Sequence, residues 1–260
     1  MNTKLHISMV EFKRGIRSSA FLSQILLMLF WMVINVLPVL TNAQSLRFSC
    51  WQSLLSQATT YEFYFADLVL IISTVSFAWS FLEDCDSHFL RTVYQRISLR
   101  EYCTAKILAV SAVSFFASSV SILFFVLLSQ FLPLAAYDNL SGYENEYLPF
   151  VARGQSLLYL LARFLVTGLS CSLAAVVALA ISAWIDNLFV VVLFPFILYQ
   201  FIELILTLMD SRNSIASFLF RRPLNDPTVS LFLTIAGMSV SIAIAGQCFY
   251  YGIAKGRENI

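Results

Sequence analysis

Charge is scarce in this chain. Asp, Glu, Lys and Arg make up 12% of its 260 residues, against roughly 25% in an ordinary soluble domain. Histidine is rarer still, with only His6 and His88, both in polar segments where a solvent-exposed role fits better than catalysis or metal binding. The five cysteines show no metal-ligand spacing, and no His, Cys or paired carboxylates cluster inside the apolar stretches. The serines there have no evident base, so an intramembrane protease or other hydrolase has no support. Eight glycines are scattered, and none opens a G-x-x-x-x-G-K-[ST] phosphate loop. Any ATP hydrolysis therefore belongs to another polypeptide. The net charge of +1 gives no sign of a nucleic-acid partner.

What the chain has instead is apolar sequence. Hydrophobic residues reach 59% and the mean hydropathy is +0.80. Six runs are long enough to span a bilayer as helices: Phe21–Leu40, Phe65–Leu82, Ile107–Leu132, Leu157–Trp184, Leu188–Leu208 and Val229–Ile253. The runs are continuous rather than alternating, which favours helices over a barrel. The first follows a basic lead and precedes Thr41-Asn42-Ala43, as a signal peptide would. Its length exceeds the 7–15-residue core of such a peptide, so it reads as a span. The predicted fold is thus an all-α membrane protein of six transmembrane helices.

Lys and Arg set the orientation. With the N-terminus inside, inner segments hold Lys4, Lys13, Arg14, Arg17, Arg91, Arg96, Arg100, Lys106, Lys255 and Arg257, and outer ones hold Arg47, Arg153, Arg212, Arg221 and Arg222. Both termini are expected in the cytoplasm, in a bacterial plasma membrane. Only Cys50 is then external, so no intrachain disulfide forms there. Residues 1–20 contain an amphipathic stretch. Leu5, Met9, Phe12 and Ile16 share one helical face, with Lys4, Lys13, Arg14 and Arg17 elsewhere. This predicts a helix in the inner interface; a plain basic lead is the alternative. Segments 41–62 and 133–155 read as outer loops. The turn at Asp186-Asn187 is very short, and 209–228 is an outer, re-entrant candidate through Ile215–Phe220. Small residues recur at helical spacing: Gly237, Ser241 and Ala245; Gly168 and Ser172; Ser114 and Ser118. Such faces allow close helix packing in lipid. Pro195 should kink the fifth span.

Asp67, Arg163 and Glu203 fall inside apolar runs. Ionisable groups there are costly and usually face a partner or water. All three count to the outer half, where they would line a translocation path or form structural ion pairs, Arg163 with Glu203 or Asp67.

The longest polar stretch is Glu83–Lys106, 24 residues between two apolar runs. Within it, Phe89, Leu90, Val93, Tyr94 and Ile97 lie on one helical face, while Asp84, Asp86 and Ser87 can cap the helix start. A short amphipathic helix at this place can lie on the inner leaflet or insert into a groove on a soluble partner.

The run Ile97-Ser98-Leu99-Arg100-Glu101-Tyr102-Cys103-Thr104-Ala105-Lys106 resembles the stretch that follows the first inner loop helix in permeases of ABC-2-type transporters. In that family an acid ends span two. A Gly and apolar residues follow, then a Pro-Val-Ser-Arg-like turn, then a small residue and Lys. Glu83 matches the acid, Phe89 and Leu90 the apolar pair, Ile97 and Ser98 the Val-Ser, and Ala105 and Lys106 the closing pair. Ser87 stands for the usual Gly and Arg96 for the usual Pro. The resemblance implies a single permease domain over residues 1–260, with 83–106 as the coupling loop. It implies Glu83, Phe89, Leu90, Val93, Tyr94, Arg96, Ile97, Arg100 and Lys106 as residues that couple to an ABC ATPase subunit. It further implies a second permease subunit, ATP and Mg on the ATPase rather than in this chain, and export of a hydrophobic or amphiphilic cargo such as a peptide antimicrobial, a lipid or a drug. Two other readings remain open: a membrane enzyme acting on a lipid-linked substrate through Asp67, Arg163 and Glu203, and a non-transporting scaffold or sensor.

Overall fold

The computed structural model describes residues 2–41, 51–59, 65–75, 77–86, 97–131, 147–209 and 227–257. Among these the chain is helical, with no strand. The helices are α1 (Asn2–Arg17), α2 (Ser19–Leu40), α3 (Trp51–Ala58), α4 (Phe65–Val75), α5 (Ser80–Asp86), α6 (Leu99–Ser129), α7 (Leu148–Ala152), α8 (Ser156–Ser182), α9 (Leu188–Met209) and α10 (Pro227–Arg257). Six stretches are long and apolar enough to cross a membrane: Ser19–Pro38, Leu68–Cys85, Leu99–Ser129, Ser156–Ser182, Leu188–Ile205 and Thr228–Lys255. They coincide with the six apolar runs, and the all-α, multi-pass architecture stands.

Successive spans run in opposite directions. α1, α5, the start of α6 and the last turns of α8 and α10 gather at one end of the bundle, called here the α1 end. The α8–α10 contact there is tight: a Cβ on Gly252 would lie 2.7 Å from Trp184 Nε1. α3, α7 and the start of α8 form the far end, where Tyr159 Oη donates to Gln52 O at 3.2 Å. Two apolar cores are stacked along the axis. Met28, Met32, Leu54, Leu55, Phe150 and Tyr159 belong to the far one. Phe77, Phe81, Tyr102, Val110, Leu179 and Phe249 belong to the one at the α1 end.

α8 is the central post and the most buried span. Its small residues do what the sequence asked of them. Gly168 leaves room for Phe115, whose ring would sit 2.6 Å from an added Cβ. Ser172 Oγ donates to Ser111 O at 2.8 Å, and Ser114 Oγ reaches Ser73 O at 3.3 Å and Cys171 O at 3.2 Å. Each serine satisfies its hydroxyl while letting backbones approach. The row on α10 behaves differently: Ala245 is buried but Gly237 faces open space.

Local signals account for the helix ends. Ser18 separates α1 from α2; its hydroxyl donates to Gly15 O at 2.6 Å and accepts from Phe21 N at 3.3 Å. Asn187 Oδ1 accepts from Phe189 N at 3.0 Å and so caps α9 after the short turn. Gly154, at φ +73°, closes the α7–α8 corner, where a side chain would be strained.

Four expectations change. The second span is broken: α4 ends at Val75 and α5 begins at Ser80, with Phe77–Trp79 in a turn. The turn satisfies its own polar groups. Ser80 N donates to Phe77 O at 3.1 Å, and Trp79 Nε1 donates to Val75 O at 3.1 Å. Phe77 and Ala78 are buried in protein, the setting in which irregular backbone is tolerated at membrane depth. The third span starts at Leu99, eight residues before the apolar run, because Ser98 Oγ accepts from Glu101 N and caps it. The segment 41–62 is more than a loop, since α3 lies in it and packs Leu54 and Leu55 into the far core. Likewise α7 occupies part of 133–155. The re-entrant stretch Ile215–Phe220 lies outside the described residues.

Candidate functional site

α5 carries three acids, of which two adjacent ones, Glu83 and Asp84, enter the site. Two polar residues on one face of α6, Tyr102 and Lys106, stand four apart as helix neighbours do. α1 brings Glu11 and Arg14, three apart. These six side chains meet at the α1 end. Lys106 Nζ lies 2.6 Å from Asp84 Oδ2 and 3.0 Å from Glu11 Oε2, and it also donates to Ser80 O at 3.4 Å. Tyr102 Oη donates to Asp84 Oδ2 at 2.8 Å. Arg14 bridges the adjacent Glu83 and Asp84, with Nη1 2.6 Å from Asp84 Oδ1 and Nη2 3.1 Å from Glu83 Oε2. The Phe77 ring, in the turn of the broken span, lies near both cations, 5.2 Å from Lys106 Nζ and 6.0 Å from the Arg14 guanidinium carbon.

Burial grades this network. Lys106 and Asp84 are 0% exposed and Glu11 is 6% exposed, whereas the Glu83 and Arg14 side chains are partly open. Charges taken out of water at this depth persist only when paired and hydrogen-bonded. Asp84 uses both oxygens on three donors, and Lys106 spreads its donors over two acids and a carbonyl. Partial burial alone would lower the pKa of Arg14. Its hydrogen bond to Asp84 and the charges of Asp84, Glu11 and Glu83 outweigh that and raise it above the ordinary arginine value, so it stays a cation at all accessible pH.

At the far end Arg163 is 2% exposed. Its guanidinium carbon lies 5.6 Å from the Tyr147 ring centre and 5.7 Å from that of Tyr159, within range of cation–π attraction. Tyr147 stacks on Phe150, Trp51 tilts against Tyr159, and Gln52 Nε2 donates to Ser156 Oγ at 3.3 Å. Short helices α3 and α7 thus roof over a buried cation. Glu203 is half-buried on α9, and the side chain of Asp67 lies outside the described residues.

The residues singled out in the inner loop are distributed unevenly. Phe89, Leu90, Val93, Tyr94 and Arg96 lie outside the described residues. Glu83 is exposed on α5, Arg100 is exposed on the first turn of α6, and Ile97 is half-buried just before it. Lys106 is internal and engaged by α1 and α5, so it acts on the loop from behind rather than at a docking surface. Sequence reasoning missed Glu11, Arg14, Asp84 and Tyr102. One signal was present: Glu11 is a lone acid in the middle of a basic, amphipathic helix. It also missed Tyr147 and Tyr159, although Tyr159 stands four residues before Arg163. α1 has two distinct sides. Met9 and Ile16 point outward, and Glu11 and Gly15 face the bundle. A Cβ on Gly15 would lie 2.5 Å from Val113 Cγ2, so only glycine allows this approach.

Comparison with family models, with curated proteins and with solved structures returns no match. Among the described residues no group of three His, Cys, Asp or Glu is placed to hold a metal ion. The geometry offers a mechanical arrangement. The ion network joins α1 to α5 and to α6, the helices on either side of residues 87–96.

Proposed function

We propose that this chain is the permease subunit of an ATP-driven ABC-2-type exporter. The observation that carries the reading is the locked loop base: Asp84, which lies before residues 87–96, and Lys106, which lies after them, are tied at 2.6 Å and held to α1 through Glu11 and Arg14. A separate ATPase subunit grips the Phe89–Ile97 face. Its closure moves α1 with spans two and three as one body, because the network leaves no soft joint between them. The turn at Phe77–Trp79 lets the rest of span two bend above that body. ATP and Mg sit on the ATPase, and a second permease subunit completes the transporter. α1 lies in the inner interface, both termini are cytoplasmic, the membrane is the plasma membrane, and the cargo is hydrophobic or amphiphilic. The Arg163 cage favours a structural role for that cation, since tyrosine rings rather than an open path surround it.

The test is co-purification. The tagged full chain, extracted in mild detergent from its own host, is expected to bring down a soluble ATPase. Phe89→Asp with Val93→Asp is expected to release it and leave the chain folded. A chain that captures no ATPase, or a double variant that captures it undiminished, overturns the reading.

A further inference from the structure

α1 sorts its charges by side. Glu11 is the only acid between Asn2 and Arg17, and it is buried against Lys106. Arg14 is engaged by Asp84 and Glu83. Among the side chains described, two exposed cations remain on the outward side, Lys13 and Arg17, four residues apart and one turn from each other. Among the described residues no carboxylate pairs with either. Beside them stand Met9 at 58%, Val10 at 51% and Ile16 at 38% exposure. The rotation of α1 that produces this face is fixed twice, by the ion network and by Gly15 set against Val113 and Phe77. Rolling the helix would break the first and drive side chains into the second. The outward face is therefore apolar and purely cationic because the acid has been withdrawn from it.

We infer that this face of α1 binds the headgroups of anionic phospholipids. The charge is complementary, and the place fits. Ser18 alone separates α1 from the first membrane-spanning stretch, which begins at Ser19, so Lys13 and Arg17 lie at headgroup level. Their donors reach lipid phosphates while Met9, Val10 and Ile16 enter the acyl boundary, as in interfacial amphipathic helices. The inference rests on the membrane-spanning architecture and on the interfacial placement of α1, and needs no ATPase partner. Its failure is therefore distinguishable from failure of the exporter reading.

The experiment is native mass spectrometry of the purified full chain in detergent, titrated with phosphatidylglycerol or phosphatidylcholine. The chain is expected to prefer phosphatidylglycerol, less so at high salt, since exposed charges are screened. Lys13→Gln with Arg17→Gln should weaken phosphatidylglycerol binding about thirtyfold, from about 1 kcal/mol per surface cation, and leave phosphatidylcholine unchanged. Lys13→Arg with Arg17→Lys should keep the preference, as should Arg153→Gln at the far end. Equal binding of both lipids by the unaltered chain overturns the inference. So does a charge-removed variant that keeps its preference, or one that loses only a co-purifying acidic protein.

Discussion

At the α1 end Lys106 reaches Asp84 across 22 residues of chain and Glu11 across 95. At the far end Arg163 lies under Tyr159, one turn away on its own helix, and under Tyr147. Both cations are sealed from solvent, and the contacts around them differ in kind. The first sits among formal charges drawn from three helices, so removing any partner strands another charge in the interior. The second has two tyrosine rings within cation–π range. An ion network ties remote segments into one moving unit, whereas an aromatic cage plugs and stiffens one place.

The contrast breaks or sharpens most at Lys106. Lys106→Met removes the buried cation that Asp84 and Glu11 share and leaves them only the half-open Arg14, a loss of about 3–5 kcal/mol. Thermal unfolding in detergent should show little folded protein. Adding Asp84→Asn should recover part of the loss, a non-additivity expected of groups in one network. A single variant as stable as the unaltered chain would remove the network from the argument. Arg163→Leu is the matching change at the far end. It keeps the apolar roof and forfeits cation–π attraction, about 2 kcal/mol for a desolvated site. The stability of the double variant Lys106→Met/Arg163→Leu should equal the sum of the two losses if the ends are independent.

Gly15→Ala tests the packing behind the network at about 1 kcal/mol, because the new methyl meets Val113 and Phe77 side-chain atoms that can shift. Its signature would be weaker α1 docking, read as faster amide exchange over Asn2–Arg17, with the α8 core unaffected. The smallest effect belongs to Arg14→Gln, under about 1 kcal/mol, since this half-open pair is screened by solvent and Asp84 keeps Lys106 and Tyr102. The pH dependence follows in sign. The pKa of Arg14 is raised on folding, so its contribution is complete below the unfolded value and is lost only as pH rises through the higher folded one. Stability of the unaltered chain between neutral pH and pH 10 should therefore show no step due to Arg14. A step there that Arg14→Gln abolishes would contradict the bridge to Asp84.

Legibility followed the range of the interaction. The six spans, the short turn at Asp186-Asn187 and the packing roles of Gly168, Ser114 and Ser172 depend on a few neighbouring residues or on helical period, and both are written in one dimension. The break at Phe77–Trp79 was not legible, because no glycine or proline marks it. It exists because surrounding helices bury the turn and its own donors satisfy the freed carbonyls. α3 was hidden for a related reason: eight residues of moderate polarity become a helix only when Leu54 and Leu55 find the far core. The inward face of α1 was not legible, because the partners of Glu11 and Arg14 stand about 70 to 95 residues away in the chain.

The order of apolar residues alone decided that six stretches are long and apolar enough to cross a membrane as helices, because a backbone in lipid must satisfy its own hydrogen bonds and a continuous apolar run does so as a helix. Which charges meet was decided by the tertiary structure. Glu11, Asp84 and Lys106 stand far apart along the chain, and only the packing of α1 and α5 against α6 brings them within hydrogen-bond reach. Pairing energy in a dry interior depends on distances of a few ångströms, which the order of residues does not specify.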